Sequence, residues 1–247
     1  MSSYHVDEQL SLRLDEAFLH GPPVPIPYSL IQTWTGDFAE ENIVGRGGFG
    51  SVYRGRISSI SRLVAVKKIS GDLVSRICTT SSVSEEEDNR TLKDVLKTVE
   101  REINVLSVFR NCQNIIRLIG YSSLSTGKEI LEKRHRLGEL CLVYEFADRG
   151  DLLHMLKSNA VELVWQLRLR IAWGIAKGLN CLHLSDPGHP AFHRDVKSSN
   201  VVITSDLTPK LIDCGLSKYI PEVSAVGYNM SVFTTSGMKF GMKQLMY

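Results

Sequence analysis

The segment Val44-Gly45-Arg46-Gly47-Gly48-Phe49-Gly50-Ser51-Val52 limits this chain more than any other, because its glycines lead into a strand and not a helix. The spacing G-x-G-x-x-G also occurs in dinucleotide-binding folds, but there the loop opens directly into a helix. Here Ser51-Val52-Tyr53-Arg54 continues in β-forming residues, so the glycines belong to a hairpin. Glycine lets a backbone approach phosphate oxygens closely and tolerates positive φ. Taken alone, the pattern also fits a plain glycine-rich hairpin. The neighbouring runs Ile43-Val44, Val52-Tyr53 and Leu63-Val64-Ala65-Val66, set apart by polar or glycine-rich turns, predict an antiparallel meander.

The pattern then changes period. Leu92, Val95, Leu96, Val99, Ile103 and Leu106 recur in steps of three and four, the stripe of an amphipathic helix. Two strand-like runs follow, Arg117–Tyr121 and Leu140–Tyr144. A long helix is expected over about Val164–Leu184, with Trp165, Leu169, Ala172, Ile175, Ala176, Leu179 and Leu182 on one face. Short strands are expected at Val201–Ile203 and Lys210–Ile212. Residues 1–37, with the patch Gly21-Pro22-Pro23-Val24-Pro25-Ile26-Pro27, read as an extended tether or linker. Two polar stretches read as solvated loops: residues 70–90, with Thr79–Ser82 and Glu85–Asp88, and the segment holding Lys128, Lys133, Arg134, His135 and Arg136.

The 247 residues suffice for one large domain or two lobes around a cleft. The net charge of +2 is too close to zero to argue for nucleic acid or a membrane surface. No apolar run approaches the ~18 residues of a membrane span, and the first residues carry no signal-peptide pattern. The 5 cysteines, Cys78, Cys112, Cys141, Cys181 and Cys214, are scattered and form no C-x-x-C pair, so reduced thiols in a cytoplasmic protein are expected.

Three further motifs carry chemistry. Lys67 ends the apolar run Val64-Ala65-Val66, where a charge needs a partner. Phosphates and a carboxylate would supply one, and Glu102 stands 35 residues later on the expected helix. The third is His193-Arg194-Asp195-Val196-Lys197-Ser198-Ser199-Asn200, followed 18 residues after Asp195 by Asp213-Cys214-Gly215.

Together these motifs resemble the eukaryotic protein kinase superfamily over roughly residues 38–220. Phe38–Gly55, Arg117–Tyr121 and Leu142–Phe146 resemble its plant receptor-like/Pelle serine/threonine branch. The resemblance implies an α+β, two-lobe fold: an antiparallel five-stranded N-lobe with one helix (38–146), and a partial helical C-lobe (147–220). An incomplete activation segment would occupy 221–247. It implies phosphoryl transfer from ATP to a protein hydroxyl, with Mg²⁺ held by Asn200 and Asp213. Asp195 would accept the hydroxyl proton, Lys197 would meet the γ-phosphate, and Lys67, held by Glu102, would reach the α- and β-phosphates. Val44, Gly45, Gly47, Gly48, Phe49 and Gly50 would cover the phosphates. Val52 and Ala65 would lie above adenine and Val202 below it. Tyr144 would be the gatekeeper, and Glu145-Phe146-Ala147 the hinge. The implied partners are a protein substrate bearing a Ser or Thr hydroxyl and a full-length kinase or receptor complex.

Three positions depart from the family pattern. Cys214 stands where a phenylalanine is usual, within an apolar stack expected from Leu106, Leu118, His193 and Cys214. Cys112 replaces a usual histidine before Asn114-Ile115-Ile116. No Ala-Pro-Glu follows Asp213, so roughly 70–80 residues of a typical domain are expected to be missing. A truncated, catalytically impaired nucleotide-binding or interaction module is therefore the alternative reading.

Overall fold

A computed structural model describes residues 2–47, 50–69, 85–122, 139–158, 163–184 and 190–219. Four expectations lie outside these residues: the roles of Gly48 and Phe49, the loop Thr79–Ser82, the basic stretch Lys128–Arg136, and the activation segment over 221–247. The chain divides into two compact units, 1–99 with 117–146, and 100–116 with 147–247.

The first unit is built on one sheet. Its strands are β1 (Val24–Ile26), β2 (Ile43–Gly47), β3 (Gly50–Ile57), β4 (Arg62–Ile69), β5 (Leu118–Ser122) and β6 (Cys141–Glu145). They are ordered β1-β5-β6-β4-β3-β2. The five strands β2–β6, all within 38–146, pair antiparallel as expected, and β1 makes the sheet six-stranded and mixed among the described residues. The extra strand comes from the segment read as a linker, because β1 pairs parallel with β5, Val24 opposite Gly120.

Residues 1–37 are therefore folded. Helix α1 (Ser2–Leu19) presents Leu10, Leu14, Ala17 and Phe18 on one face, at helical spacing. It stops at Gly21, whose N–H donates to Glu16 O at 2.6 Å and whose backbone lies so close that a Cβ would sit 2.9 Å from that oxygen. Pro22 and Pro23 cannot continue the helix. In β1, Val24 and Ile26 are buried while Pro25 faces outward on an edge strand, where a missing N–H is tolerated. Helix α2 (Tyr28–Trp34) follows and buries Ile31. Leu14, Ala17, Val24, Ile26 and Ile31 share one core cluster with Val64, Val66, Cys141 and Val143. Proline content favoured a linker; buried apolar area decided otherwise. Each fully buried Leu or Ile contributes about 1.5–3 kcal/mol.

Helix α3 (Glu85–Val108) takes up the acidic run Glu85–Asp88, read above as loop. Carboxylates are favourable in a first helical turn. From Glu100 onward the helix counts with the second unit.

The second unit further holds α4 (Leu152–Lys157), α5 (Trp165–Leu184), β7 (Ala191–Phe192), β8 (Val201–Ile203), β9 (Pro209–Leu211) and β10 (Lys218–Tyr219). Asp151 caps α4, its Oδ1 accepting from His154 N–H at 2.8 Å. The face α5 buries is Ile171, Gly174, Gly178 and Leu182. Trp165 and Leu169 are 59% and 51% exposed, which corrects most of the face expected for this helix, though Leu182 is buried as expected; Trp173, outside that face, is 65% exposed. The two glycines explain the difference. A Cβ at Gly174 would lie 2.3 Å from Pro209 Cγ, and one at Gly178 would lie 2.7 Å from Asn114 O. Closeness of approach, invisible to an apolar count, orients the helix.

The loop 109–117 is locked into this packing. Asn114 Nδ2 donates to Pro209 O at 2.9 Å, and Leu211 N–H donates to Asn114 O at 2.9 Å. The Cys112 and Cys181 side chains meet across this loop and α5, with their Cα atoms 6.3 Å apart, within the span a disulfide bridges. Cys141 and Cys214 are free and buried. No helix of the described residues is long and apolar enough to cross a membrane.

Candidate active site

In the first unit, strand register sorts side chains onto two faces. Val52 lies opposite Lys67, Lys67 opposite Leu142, and Ala65 opposite Tyr144. Directly opposed residues share a face, and so do residues two apart on one strand. Val52, Ala65, Lys67, Leu142 and Tyr144 therefore line one face. The other face carries Val64, Val66, Cys141 and Val143, covered by α1 and α2. Lys68 and Phe38 lie on the covered side, with the Lys68 ammonium 3.8 Å from the Phe38 ring centroid.

The glycine segment forms the expected hairpin, with Gly47 opposite Gly50 across the two residues between them. Gly50 has φ 145°, a conformation that favours glycine. At Gly45 and Gly47 an added Cβ would come no closer than 3.9 Å to any neighbour. Among the described residues no contact requires glycine at those two positions. Val44 is 53% exposed. Glu145 is held at the end of β6: its Oε1 accepts from Arg117 N–H at 2.8 Å and its own N–H donates to Arg117 O at 3.0 Å.

In the second unit the site is made by hydrogen bonds in a loop. Asp195 Oδ2 accepts from Lys197 Nζ at 2.7 Å and from Asn200 Nδ2 at 2.9 Å. Asn200 Nδ2 also reaches Asp195 O at 2.9 Å. The nitrogen of Asn200 is thus committed to Asp195, and its oxygen is the end that remains to meet a cation. Asp195 Oδ1 takes no hydrogen bond among the described residues. The Lys197–Asp195 pair is half-exposed on the lysine side, so it adds at most about 1 kcal/mol to stability. Its value is positional.

Asp213 is brought to the same loop through its neighbour. Ile212 N–H donates to Asn200 O at 3.0 Å, and Ile212 O accepts from His193 Nε2 at 2.9 Å. His193 Nδ1 in turn faces the Asp195 N–H at 3.4 Å. Both contacts are satisfied by a neutral ring protonated at Nε2. Burial, at 1% exposure, pushes the His193 pKa below its ordinary value and favours that neutral form. Arg194 and Asp213 both adopt left-handed backbone, φ 69° and 66°. Such conformations are uncommon outside glycine and cluster at functional sites.

Glu102 is buried on α3 at 2% exposure. One turn position earlier, Arg101 Nη1 donates to Gly215 O at 3.2 Å and ties α3 to Asp213-Cys214-Gly215. Neither this tie nor the His193–Ile212 bond was legible in the sequence, because a bond to a main-chain oxygen leaves no residue-type signal on the acceptor side. Cys214 is fully buried, as are Leu106, Leu118 and His193. Ala147 and Val202 also belong to this unit; Ala147 O accepts from Gly150 N–H at 3.2 Å, and Val202 pairs with Lys210. Among the described residues no three His, Cys, Asp or Glu side chains gather as a metal site. Asn200 and Asp213 would supply two oxygen ligands, as suits a small hard cation that also binds phosphates.

A glycine hairpin over a strand lysine, together with an Asp-x-Lys-x-x-Asn loop beside an Asp-Cys-Gly turn, defines a phosphotransferase-type fold. Residues 38–237 match the family described as "Protein kinase domain", and the chain belongs to that family. Its relatives place it with the plant receptor-like/Pelle-type serine/threonine kinases. It is 35% identical over 190 residues to "Probable serine/threonine-protein kinase PBL28" of Arabidopsis thaliana, covering 76% of this chain and 43% of that protein. It is 35% identical over 221 residues to "Probable serine/threonine-protein kinase PBL8" of the same plant, covering 86% and 46%. It is 31% identical over 208 residues to "Receptor-like protein kinase HERK 1", covering 84% and 21%. The chain thus spans less than half the length of each of these relatives.

Proposed function

We propose that this chain is a protein serine/threonine kinase that transfers the γ-phosphoryl group of Mg²⁺-ATP to a protein hydroxyl. The observation that carries the reading is the Asp195–Lys197–Asn200 constellation, bonded to Ile212, the residue before Asp213. Asp195 presents its open Oδ1 to the attacking hydroxyl and accepts its proton, while Oδ2 is held still by two donors. Lys197 places positive charge beside the reacting groups. Asn200 and Asp213 hold Mg²⁺, whose role when bound is to offset phosphate charge. Lys67 binds the nucleotide phosphates and Glu102 holds Lys67. Gly45, Gly47, Gly48, Phe49 and Gly50 cover the phosphates, with Val44 at the loop's start. The lack of crowding at Gly45 and Gly47 among the described residues leaves room for a ligand to approach the backbone, which supports that role. Val52, Ala65, Tyr144, Glu145, Ala147 and Val202 receive adenine. The protein partner is a Ser/Thr-bearing substrate, within a receptor or full-length kinase complex, and the site of action is the cytoplasm, where ATP is abundant.

A second reading, a nucleotide-binding interaction module without transfer, is favoured by the exposed Trp165, Leu169 and Trp173, an apolar stripe of the kind that engages partners. Incubation with labelled Mg²⁺-ATP separates the two. Transfer to the chain itself or to a generic protein substrate is expected, with a loss of at least ~10³-fold in Asp195→Asn. A nucleotide-induced rise in melting temperature without any label transfer selects the module instead. Absence of both sinks both.

A further inference from the structure

We propose that Cys112 and Cys181 form a reversible redox staple, a modification site at which a peroxide closes the loop 109–117 onto helix α5. The Cα atoms are 6.3 Å apart, within the span a disulfide bridges. The bridge closes a sequence separation of 69 residues, so it constrains the unfolded chain strongly. Both residues are partly exposed, whereas Cys141 and Cys214 are 0% exposed.

The surroundings argue that the bond can open without unfolding the unit. Asn114, two residues after Cys112, is held by Pro209 O and Leu211 N–H, and Ile116 N–H donates to Leu211 O at 2.9 Å. Gly174 and Gly178 seat α5 against Asn114 and Pro209 whether or not the sulfurs are joined. Cysteine pairs of this kind in a reducing compartment are typically transient. The staple lies on the loop whose Asn114 and Ile116 bond to β9, and β9 ends two residues before Asp213.

The chemistry balances with a peroxide as oxidant. The thiolate of one cysteine attacks a peroxide oxygen, becomes a sulfenic acid and releases water. The other thiolate attacks that sulfur, the S–S bond forms, and the sulfenic oxygen leaves as a second water. Two thiols give up two protons and two electrons, and the peroxide is reduced. A dithiol reverses the step by exchange.

The test uses the full chain, reduced and then treated with hydrogen peroxide. Thiols open to alkylation under denaturing conditions should fall by two, and peptide mass mapping should join Cys112 to Cys181. The melting temperature should rise by about 10 °C on oxidation and return with dithiothreitol. Cys112→Ser and Cys181→Ser should each abolish both changes, while Cys78→Ser should retain them. An unchanged thiol count, a crosslink that survives in Cys112→Ser, or unfolding on reduction alone would each overturn the proposal. None of these readouts uses ATP, so the outcome is independent of kinase activity.

Discussion

The two units hold their site residues by different means. In the first, Lys67, Ala65, Val52 and Tyr144 are aligned by sheet register, and a regular ladder on each side of β4 decides which face they occupy. In the second, Asp195, Asn200 and Asp213 are aligned by single hydrogen bonds in a loop with left-handed residues at Arg194 and Asp213. A ladder distributes its constraint over many bonds, so one lost contact shifts little. A loop site depends on a few contacts, and its stability is borrowed from the packing beneath it. That packing is the junction of α5, Asn114 and β9. The first unit's equivalent support is α1 and α2, lying on the sheet face opposite Lys67, with β1 at the sheet's edge.

The largest effect should come from breaking the second unit's support. Gly178→Val places carbon 2.7 Å or less from Asn114 O, a backbone atom that cannot swing away. We expect a loss of about 3 kcal/mol or more by urea unfolding, with the Asp195 loop disordered and phosphoryl transfer gone. A change under ~1 kcal/mol would show that the glycine contact does not set the position of α5.

The first unit should answer more gently. Gly120→Val drives a side chain into Val24 O, 2.3 Å from the new Cβ, and into Ile26 Cδ1 at 2.5 Å. Strand β1 should be expelled at a cost of roughly 1–3 kcal/mol, and limited proteolysis should then cleave within residues 1–37. Nucleotide binding should survive, because the Lys67 face is not the one uncovered. Protection of 1–37 equal to the parent would refute the account of β1.

The smallest effect, and the sharpest contrast, is in pH dependence. Burial lowers the pKa of His183 and His193 in the second unit from their ordinary 6.5. The unfolded chain then binds more protons, so stability is complete above pH 6.5 and is lost as pH falls through the folded-state values. In the first unit, burial pushes both Tyr28 and Cys141 up to about 12 from 10.0 and 9.0. That contribution is present below pH 9 and is lost as pH rises through the unfolded values toward 12. Hydrogen exchange should show the second unit loosening first in acid and the first unit loosening first in alkali. Simultaneous loosening at both extremes would remove the distinction.

Periodicity alone determined much of this protein. The strands β3, β4 and β6 follow from short β-branched and apolar runs set apart by turns, and the stripe of α3 follows from helical spacing. The candidate site residues were legible for a related reason: the proposed phosphate and metal chemistry asks for those types in that order, whatever the context. Tertiary structure decided what spacing cannot encode. Proline-rich residues 22–27 became a sixth strand because Gly120 left room for it. Helix α5 turned Trp165 and Trp173 outward because Gly174 and Gly178 allow close backbone approach, a gain that no count of apolar side chains records. Cys112 and Cys181 met because Asn114 seats its loop on α5, and contacts between residues far apart in the chain exist only once the chain has folded.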